Sequence, residues 1–337
     1  MNQQLIQMIT GQKVLFITTK NLDYIRNSQE IALLEKHAAS VTVIGSFSSS
    51  YPMRLFTVWL RLLFSSFRPY TVVFAGFSPQ LIVPFFFWKI GKRVLIEDFF
   101  ISLYDTLVCD RQKFKAGSLV GRFFHRLDTV TIQSADLVIS DTRAHGSYFS
   151  DEFVKSADSI EPLYLEADTS IYYPRPAKPH DGFHVLYFGS VLPLQGLQII
   201  LDAIDLLKDH KELVFTVVGP LSDSMRKPEG ENIRYINWLP QDKLAEAIAQ
   251  ADLCLAGHFH PTIQKAQRTI PGKAYIYQAM EKPMILGDNP ATRELDGRWT
   301  VPVFYVPMGD SRALAGCILE QSAKNVHRQA HNDSKKE

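Results

Sequence analysis

Eleven short apolar runs, most followed by a turn and a helical pattern, constrain the fold of this chain more than any other feature. In the first half they are "KVLFIT" (13–18), "SVTVIG" (40–45), "TVVFAG" (71–76), "RVLIED" (93–98) and "ADLVISD" (135–141). After "DTSIYYPRPAKPHDG" (168–182) the rhythm restarts with "HVLYFGS" (184–190), "LVFTVVGP" (213–220), "IRYINWL" (233–239), "ADLCLAG" (251–257), "PMILG" (283–287) and "VFYVP" (303–307). Near-continuous apolar strands separated by helical segments are the pattern of a parallel sheet covered on both faces. The Pro-rich polar break reads as a linker. The expected architecture is therefore two α/β parallel-sheet domains. They span residues 1–172 and 183–323, joined by 173–182 and followed by a polar tail over 324–337. Ligands of open parallel sheets bind outside the carboxyl ends of the strands, so two such domains face to face would frame a central cleft.

Composition excludes several classes. The chain of 337 residues is 46% apolar and 21% charged, with a net charge of +1, so bulk charge does not point to nucleic acid. Cys109, Cys254 and Cys317 are an odd, scattered set, which argues against a disulfide framework or a zinc site and suits a reducing cytosol. The N-terminal stretch lacks the basic start and small-residue cleavage site of a signal peptide. No apolar run reaches the roughly 18–20 residues of a spanning helix, and "LIVPFFFWKI" (81–90) is broken by Pro84.

Chemistry is expected at the strand ends of the second half. Gly189 and Gly196 bracket a loop, "GSVLPLQG", that opens a helix and suits backbone recognition of a phosphate. Tight turns need glycine as well, so the loop alone decides little. Lys265, Arg268 and Lys273 fall within nine positions with no acid among them. Lys273 opens a helix after Pro271 and Gly272, where the helix dipole disfavours a cation unless an anion sits nearby. The alternative is a solvated basic loop. After "PMILG", Asn289 or Asp288 is placed to cap a helix with Pro290 in its first turn, and Glu294 lies a turn further in.

With these pieces in order, the chain resembles the GT-B glycosyltransferases, in particular the large retaining group called glycosyl transferases group 1, or family 4. The resemblance is carried by "FISLYDTLVCDR" (100–111), "SADLVISDTRAHGSYF" (134–149), "YFGSVLPLQGLQIILDAIDLL" (187–207) and the segment 251–295 around "IPGKAYIYQAMEKPMILGD". It implies two Rossmann-like domains and transfer of a sugar from a nucleoside diphosphate sugar, with no metal and no further cofactor. The group commonly carries an Arg and a Lys five apart in the first glycine loop, where this chain has Ser190 and Gln195. Its pair of glutamates eight apart is replaced by Arg268 and Ile276. The resemblance then implies a donor site of Gly189, Ser190, Gln195, Gly196, Trp238, His258, Lys265, Asp288 and Glu294, with Arg268 and Lys273 gripping the diphosphate. His260 is a further candidate for the donor sugar. On the acceptor side it implies Asp98 as a catalytic acid, with Asp105 and Arg111 nearby. A structural role for both acids, as helix caps or partners of Arg111, is the competing reading.

A membrane surface is the last expectation. Between residues 54 and 126 eleven Lys and Arg stand against four acids. Arg54, Arg61 and Arg68 recur seven apart on an aromatic helix, and the same composition returns around 81–93. Basic and aromatic together suit anionic lipid, with residues 54–93 lying on the inner face of a cell membrane and a lipid-linked acceptor for a surface polysaccharide. Two other functions fit the same residues: a non-catalytic partner of an active transferase, and an epimerase-like enzyme of nucleotide sugars.

Overall fold

The computed structural model describes residues 2–111, 113–222 and 225–333. The chain divides into two compact units, Met1–Glu166 and Ala167–Glu337.

The first unit runs α1 (Gln3–Ile9), β1 (Lys13–Ile17), α2 (Ile25–His37), β2 (Ser40–Ile44), α3 (Tyr51–Phe64), β3 (Val72–Ala75), α4 (Val83–Ile90), β4 (Val94–Asp98), α5 (Leu119–Ser134), β5 (Leu137–Ser140), α6 (Arg143–Phe153) and β6 (Ile160–Pro162). Its strands pair in parallel in the order β2-β1-β3-β4-β5-β6. Alternate residues feed two cores. Leu15, Ile17, Val73 and Leu95 pack with Val58 and Leu62 of α3, while Val14, Phe16, Phe74 and Ile96 pack with Leu5, Ile9 and Leu34. Burial on both faces is why these strands read as unbroken apolar runs.

The second unit runs β7 (Phe183–Phe188), α7 (Leu197–Leu207), β8 (Leu213–Val218), β9 (Ile233–Ile236), α8 (Gln241–Ala249), β10 (Leu253–Gly257), α9 (Gln264–Arg268), α10 (Gly272–Ala279), β11 (Met284–Asp288), α11 (Pro290–Arg293), β12 (Val303–Pro307) and α12 (Ser311–Asp333). Its parallel sheet is ordered β12-β11-β10-β7-β8-β9. In both sheets the chain reverses its direction of strand addition once. The reversal falls between β1 and β3 in the first unit and between β7 and β10 in the second. Crevices at such reversals are where open α/β sheets hold ligands.

Four expectations are corrected. The division between units falls after Glu166, ahead of the Pro-rich stretch, whereas the sequence suggests 172. Helix α12 runs through Asp333, past the expected start of the polar tail at 324, and residues 334–337 of that tail lie outside the described residues. Strand β6 and helix α1 are unanticipated. β6 has three residues ending in Pro162, whose missing N–H suits the sheet edge it occupies.

The fourth correction concerns the basic stripe. Helix α3 ends at Phe64, so Arg68 lies beyond it. Arg54 is buried and donates to the carbonyls of Thr19 (3.3 Å), Ser48 (2.6 Å) and Ser49 (3.3 Å). Arg61 donates to Gly45 O at 2.7 Å. Lys89 donates to the carbonyls of Leu62 (2.7 Å), Ser65 (3.0 Å) and Leu63 at the end of α3. Arg93 does the same for Phe67 (2.8 Å), Tyr70 (3.0 Å) and Ile90 (2.8 Å). Most of these cations satisfy orphan carbonyls, at helix ends above all, as basic residues near a helix C-terminus do.

Candidate functional site

The β7/β10 reversal brings three loops together. The segment after β7 makes a 3₁₀ turn at Pro193–Gln195 and enters α7 through Gly196, whose φ of 66° is one that a side chain disfavours. Phe259, after β10, donates its amide to Gln195 O at 3.2 Å. Gly196 also lies against Phe259 and His260 so closely that a Cβ would come within 2.7 Å of backbone.

At the centre stands Lys273, in the first turn of α10, and it is buried rather than solvated. Its Nζ donates to Gln195 Oε1 at 2.8 Å and lies 4.3 Å from the centre of the Tyr187 ring. The Tyr187 hydroxyl donates to the same Gln195 oxygen. A Cβ on Gly189 would meet Gln195 Oε1 at 2.5 Å, Lys273 Nζ at 2.9 Å and Tyr187 Oη at 3.0 Å, so any side chain there would displace this group of polar ends. No carboxylate pairs with Lys273 among the described residues. Burial alone pushes its pKa down to about 7. The result is a titratable amine at a helix start, beside a glycine loop and without a counter-ion.

The sequence-predicted residues divide around this centre. Gly189, Gln195, Gly196 and Lys273 come together as stated. His258 is buried, with Nδ1 3.3 Å from the Thr269 hydroxyl, which itself donates to Lys265 O at 2.9 Å. Lys265 and Arg268 lie on the short α9, half-buried. Ser190 and Trp238 are exposed, Trp238 two residues past β9. Asp288 is paired within its own loop. Its carboxylate accepts from Arg293 Nε (2.7 Å) and Nη2 (2.8 Å), and the arginine stacks 3.8 Å from the Tyr305 ring. The cap of α11 is Asn289, in a reciprocal capping box with Thr292. Glu294 follows the end of that helix, half-buried.

Asp98, Asp105 and Arg111 belong to the first unit. Asp98 ends β4 and is buried. Its two oxygens accept from Arg26 Nη2 (2.6 Å) and Nε (2.8 Å), a buried bidentate pair that gives the carboxylate a structural partner. Burial works to lower the Arg26 pKa, but the charge and hydrogen bonds of Asp98 outweigh it and raise it. Glu30 is 3.7 Å from Arg26; burial first, then the Asp98 charge, holds its pKa well above the carboxylate range. Asp105 is buried at the start of a wide π-type turn, Asp105–Asp110, with its amide donating to Ser102 Oγ at 2.9 Å. Arg111, at the end of that turn, is exposed.

Sequence reasoning missed Tyr187 and Arg26. Tyr187 sits in a strand that is otherwise a sheet filler, and its one signal is a hydroxyl that must find a partner once buried. Arg26 carries none, because its partner is 72 residues away.

Comparison with known proteins agrees with this fold. Residues 182–323 match the family described as glycosyl transferases group 1. A 106-residue segment is 33% identical to the probable glycosyltransferase WbjE of Pseudomonas aeruginosa, spanning 29% of this chain and 25% of that relative's length. Sucrose-phosphate synthase of Thermosynechococcus elongatus is similar in structure, with a TM-score of 0.63, 13% identity, and coverage of 92% of this chain and 89% of that one. Anabaena HepE, solved in complex with UDP and glucose, has a TM-score of 0.58, 16% identity, and coverage of 93% and 92%. A glycosyltransferase from Rickettsia africae gives 0.59 at 11% identity, covering 92% and 87%. At these identities the structural likeness speaks for the fold. This chain is a two-domain α/β protein of the GT-B type, and residues 182–323 of its C-terminal unit match the glycosyl transferases group 1 family.

Proposed function

We propose that the chain is a glycosyltransferase that takes a nucleoside diphosphate sugar as donor and transfers the sugar with retained anomeric configuration. The observation that carries this reading is Lys273, a buried amine without a counter-ion at the β7/β10 reversal. The group's loop lysine is replaced by Gln195, and the Lys273 ammonium is delivered from α10 to within 2.8 Å of that glutamine. That HepE was solved with UDP and glucose supports the donor class.

On this reading the step is an electrostatic one. The C–O bond between the sugar and its diphosphate breaks, an acceptor hydroxyl oxygen bonds to the anomeric carbon and passes its proton to the leaving diphosphate, and negative charge grows on that diphosphate as it leaves. Lys273, the start of α10 and the cations of α9 stabilise that charge, with no metal and no cofactor taking part. Trp238 stands by the base, and Glu294 accepts from the ribose hydroxyls. Calorimetry against UDP, GDP and ADP tests the reading. One of the three is expected to bind at micromolar concentration. If none binds, the site is not a donor site. The alternative of a non-catalytic partner, favoured by Ser190 and Gln195 at the group's Arg and Lys positions, would then take its place.

We also propose that the first unit rests on the inner face of a cell membrane and draws a lipid-linked acceptor from it, for a surface polysaccharide. No helix among the described residues is long and apolar enough to cross a membrane. Helix α3 exposes Phe56, Leu60, Leu63 and Phe64, and α4 exposes Phe85, Phe87 and Trp88. The two helices touch through Trp59 and Phe85, 4.9 Å apart, so these side chains lie on neighbouring elements. Single exposed apolar residues are ordinary, but a contiguous group of this size marks an interaction surface. Because Arg54, Lys89 and Arg93 are occupied by carbonyls, insertion of rings should outweigh charge attraction. Flotation with vesicles containing phosphatidylglycerol checks this: the protein should float, lose little binding in high salt, and sink as the Phe64→Glu/Trp88→Glu variant. Wild-type protein that stays at the bottom would refute the membrane surface.

A further inference from the structure

The β1/β3 reversal of the first unit carries a second site. Tyr24 follows β1, Phe77 follows β3 and Phe100 follows β4, so three adjacent strands each place one aromatic ring at their carboxyl ends. The Phe77 ring lies 5.8 Å from Tyr24 and 5.7 Å from Phe100, edge to face with both. All three are part-exposed. Lys20 Nζ stands 5.5 Å from the Tyr24 ring and 5.3 Å from the Phe77 ring, with no acidic partner among the described residues. The guanidinium of Arg26 backs Phe100 at 4.9 Å.

This group is held in place by its supports. The buried Thr19 hydroxyl donates to Phe77 O at 2.9 Å, tying the loop after β1 to the loop after β3. Gln80 Nε2 donates to Ile101 O at 2.7 Å, tying the loop after β3 to the loop after β4. Rings fixed on cross-bonded loops lose little freedom when a ligand arrives. They offer electron-rich faces to the C–H groups of a pyranose ring, and the neighbouring ammonium offers a charge to an anion.

The geometry points to a subsite for a sugar ring bearing a phosphate, stacked on Phe100 and flanked by Phe77, with its phosphate read by Lys20. Resting on the transferase reading above, this is where the acceptor sugar binds. The phosphate comes from a lipid diphosphate linkage or from a free sugar phosphate, and the two are separable.

Saturation-transfer NMR with glucose 1-phosphate, galactose 1-phosphate and N-acetylglucosamine 1-phosphate tests it, with the nucleotide chosen by calorimetry saturating the second unit. Wild type should give transfer signals from at least one sugar phosphate. Phe100→Leu, which keeps apolar volume without a ring, should lose at least fivefold of that signal. Lys20→Gln should bind the sugar phosphate no better than the free sugar. Nucleotide binding should be unchanged in both variants, and their urea unfolding should match wild type, which shows that the first unit folds. A soluble sugar phosphate that binds tenfold more weakly than the same sugar diphosphate on a short prenol would assign the phosphate to a lipid. Nucleotide binding without any sugar-phosphate signal, or full signal in Phe100→Leu, overturns the subsite alone. Absence of both nucleotide and sugar-phosphate binding overturns the transferase reading and the subsite with it.

Discussion

Asp98→Ala should cost the first unit about 3–5 kcal/mol, because it leaves the Arg26 guanidinium buried without its counter-charge. Both side chains are almost fully enclosed, at 3% and 1% exposure, so water cannot repair the loss. Arg26 also donates to Leu163 O at 2.8 Å and Ser140 O at 3.4 Å. The pair therefore ties the ends of β4 and β5 to the segment leaving β6, and its loss should loosen that whole edge of the sheet. Glu30 is a poor substitute, since burial first and then the Asp98 charge raise its pKa and disfavour its charged form. The paired change Arg26→Met/Asp98→Leu should recover most of the stability, because apolar side chains of similar size often replace a buried ion pair at little cost. Urea unfolding of the three proteins checks this. If Asp98→Ala keeps its stability and loses only sugar transfer, Asp98 acts on substrate, as its position after a strand first suggests.

That contrast marks how far the sequence can be read. The strands and their parallel α/β class follow from local pattern. Burial on both faces writes itself into runs such as "VLFI", and glycines mark the turns that close approach demands. The site itself is built from distant pairs. Lys273 meets Gln195 across 78 residues, and its cation is legible only as an oddity at a helix start. The three basic residues at 54, 61 and 68 show the opposite failure. A seven-residue spacing looks like one face of a helix, but two of those arginines reach for backbone carbonyls and the third lies past the helix end. A cation's partner is often a carbonyl, and carbonyls leave no trace in composition. Likewise Asp288 and Asn289 were equal as caps in the sequence; Arg293 takes the first, five residues on, which leaves the cap to the second.

Donor binding should follow the protonation of Lys273. Its folded pKa is about 7, against an ordinary lysine value of 10.5 in the unfolded chain. Between those values the unfolded state holds more protons, so stability should rise with pH from about 7 toward 10.5, and the full cost of the buried charge should be felt below 7. Lys273→Met should remove that component of the pH dependence and leave the free protein as stable as wild type or more so at pH 6–7. Binding reverses the balance. A diphosphate beside Nζ favours the charged amine, so a nucleotide sugar, whose phosphates are esterified at both ends, should draw a proton onto Lys273. At pH 8 calorimetry in buffers of differing ionisation enthalpy should detect uptake of about one proton, and affinity should fall roughly tenfold per pH unit above 7. Lys273→Met should bind about 10–100-fold more weakly at pH 7, the loss of one charge-assisted contact, with no proton uptake and no such pH slope. Binding by wild type that neither takes up a proton nor weakens with pH would show that the diphosphate does not lie against Lys273, and the donor site would have to be sought elsewhere in the second unit.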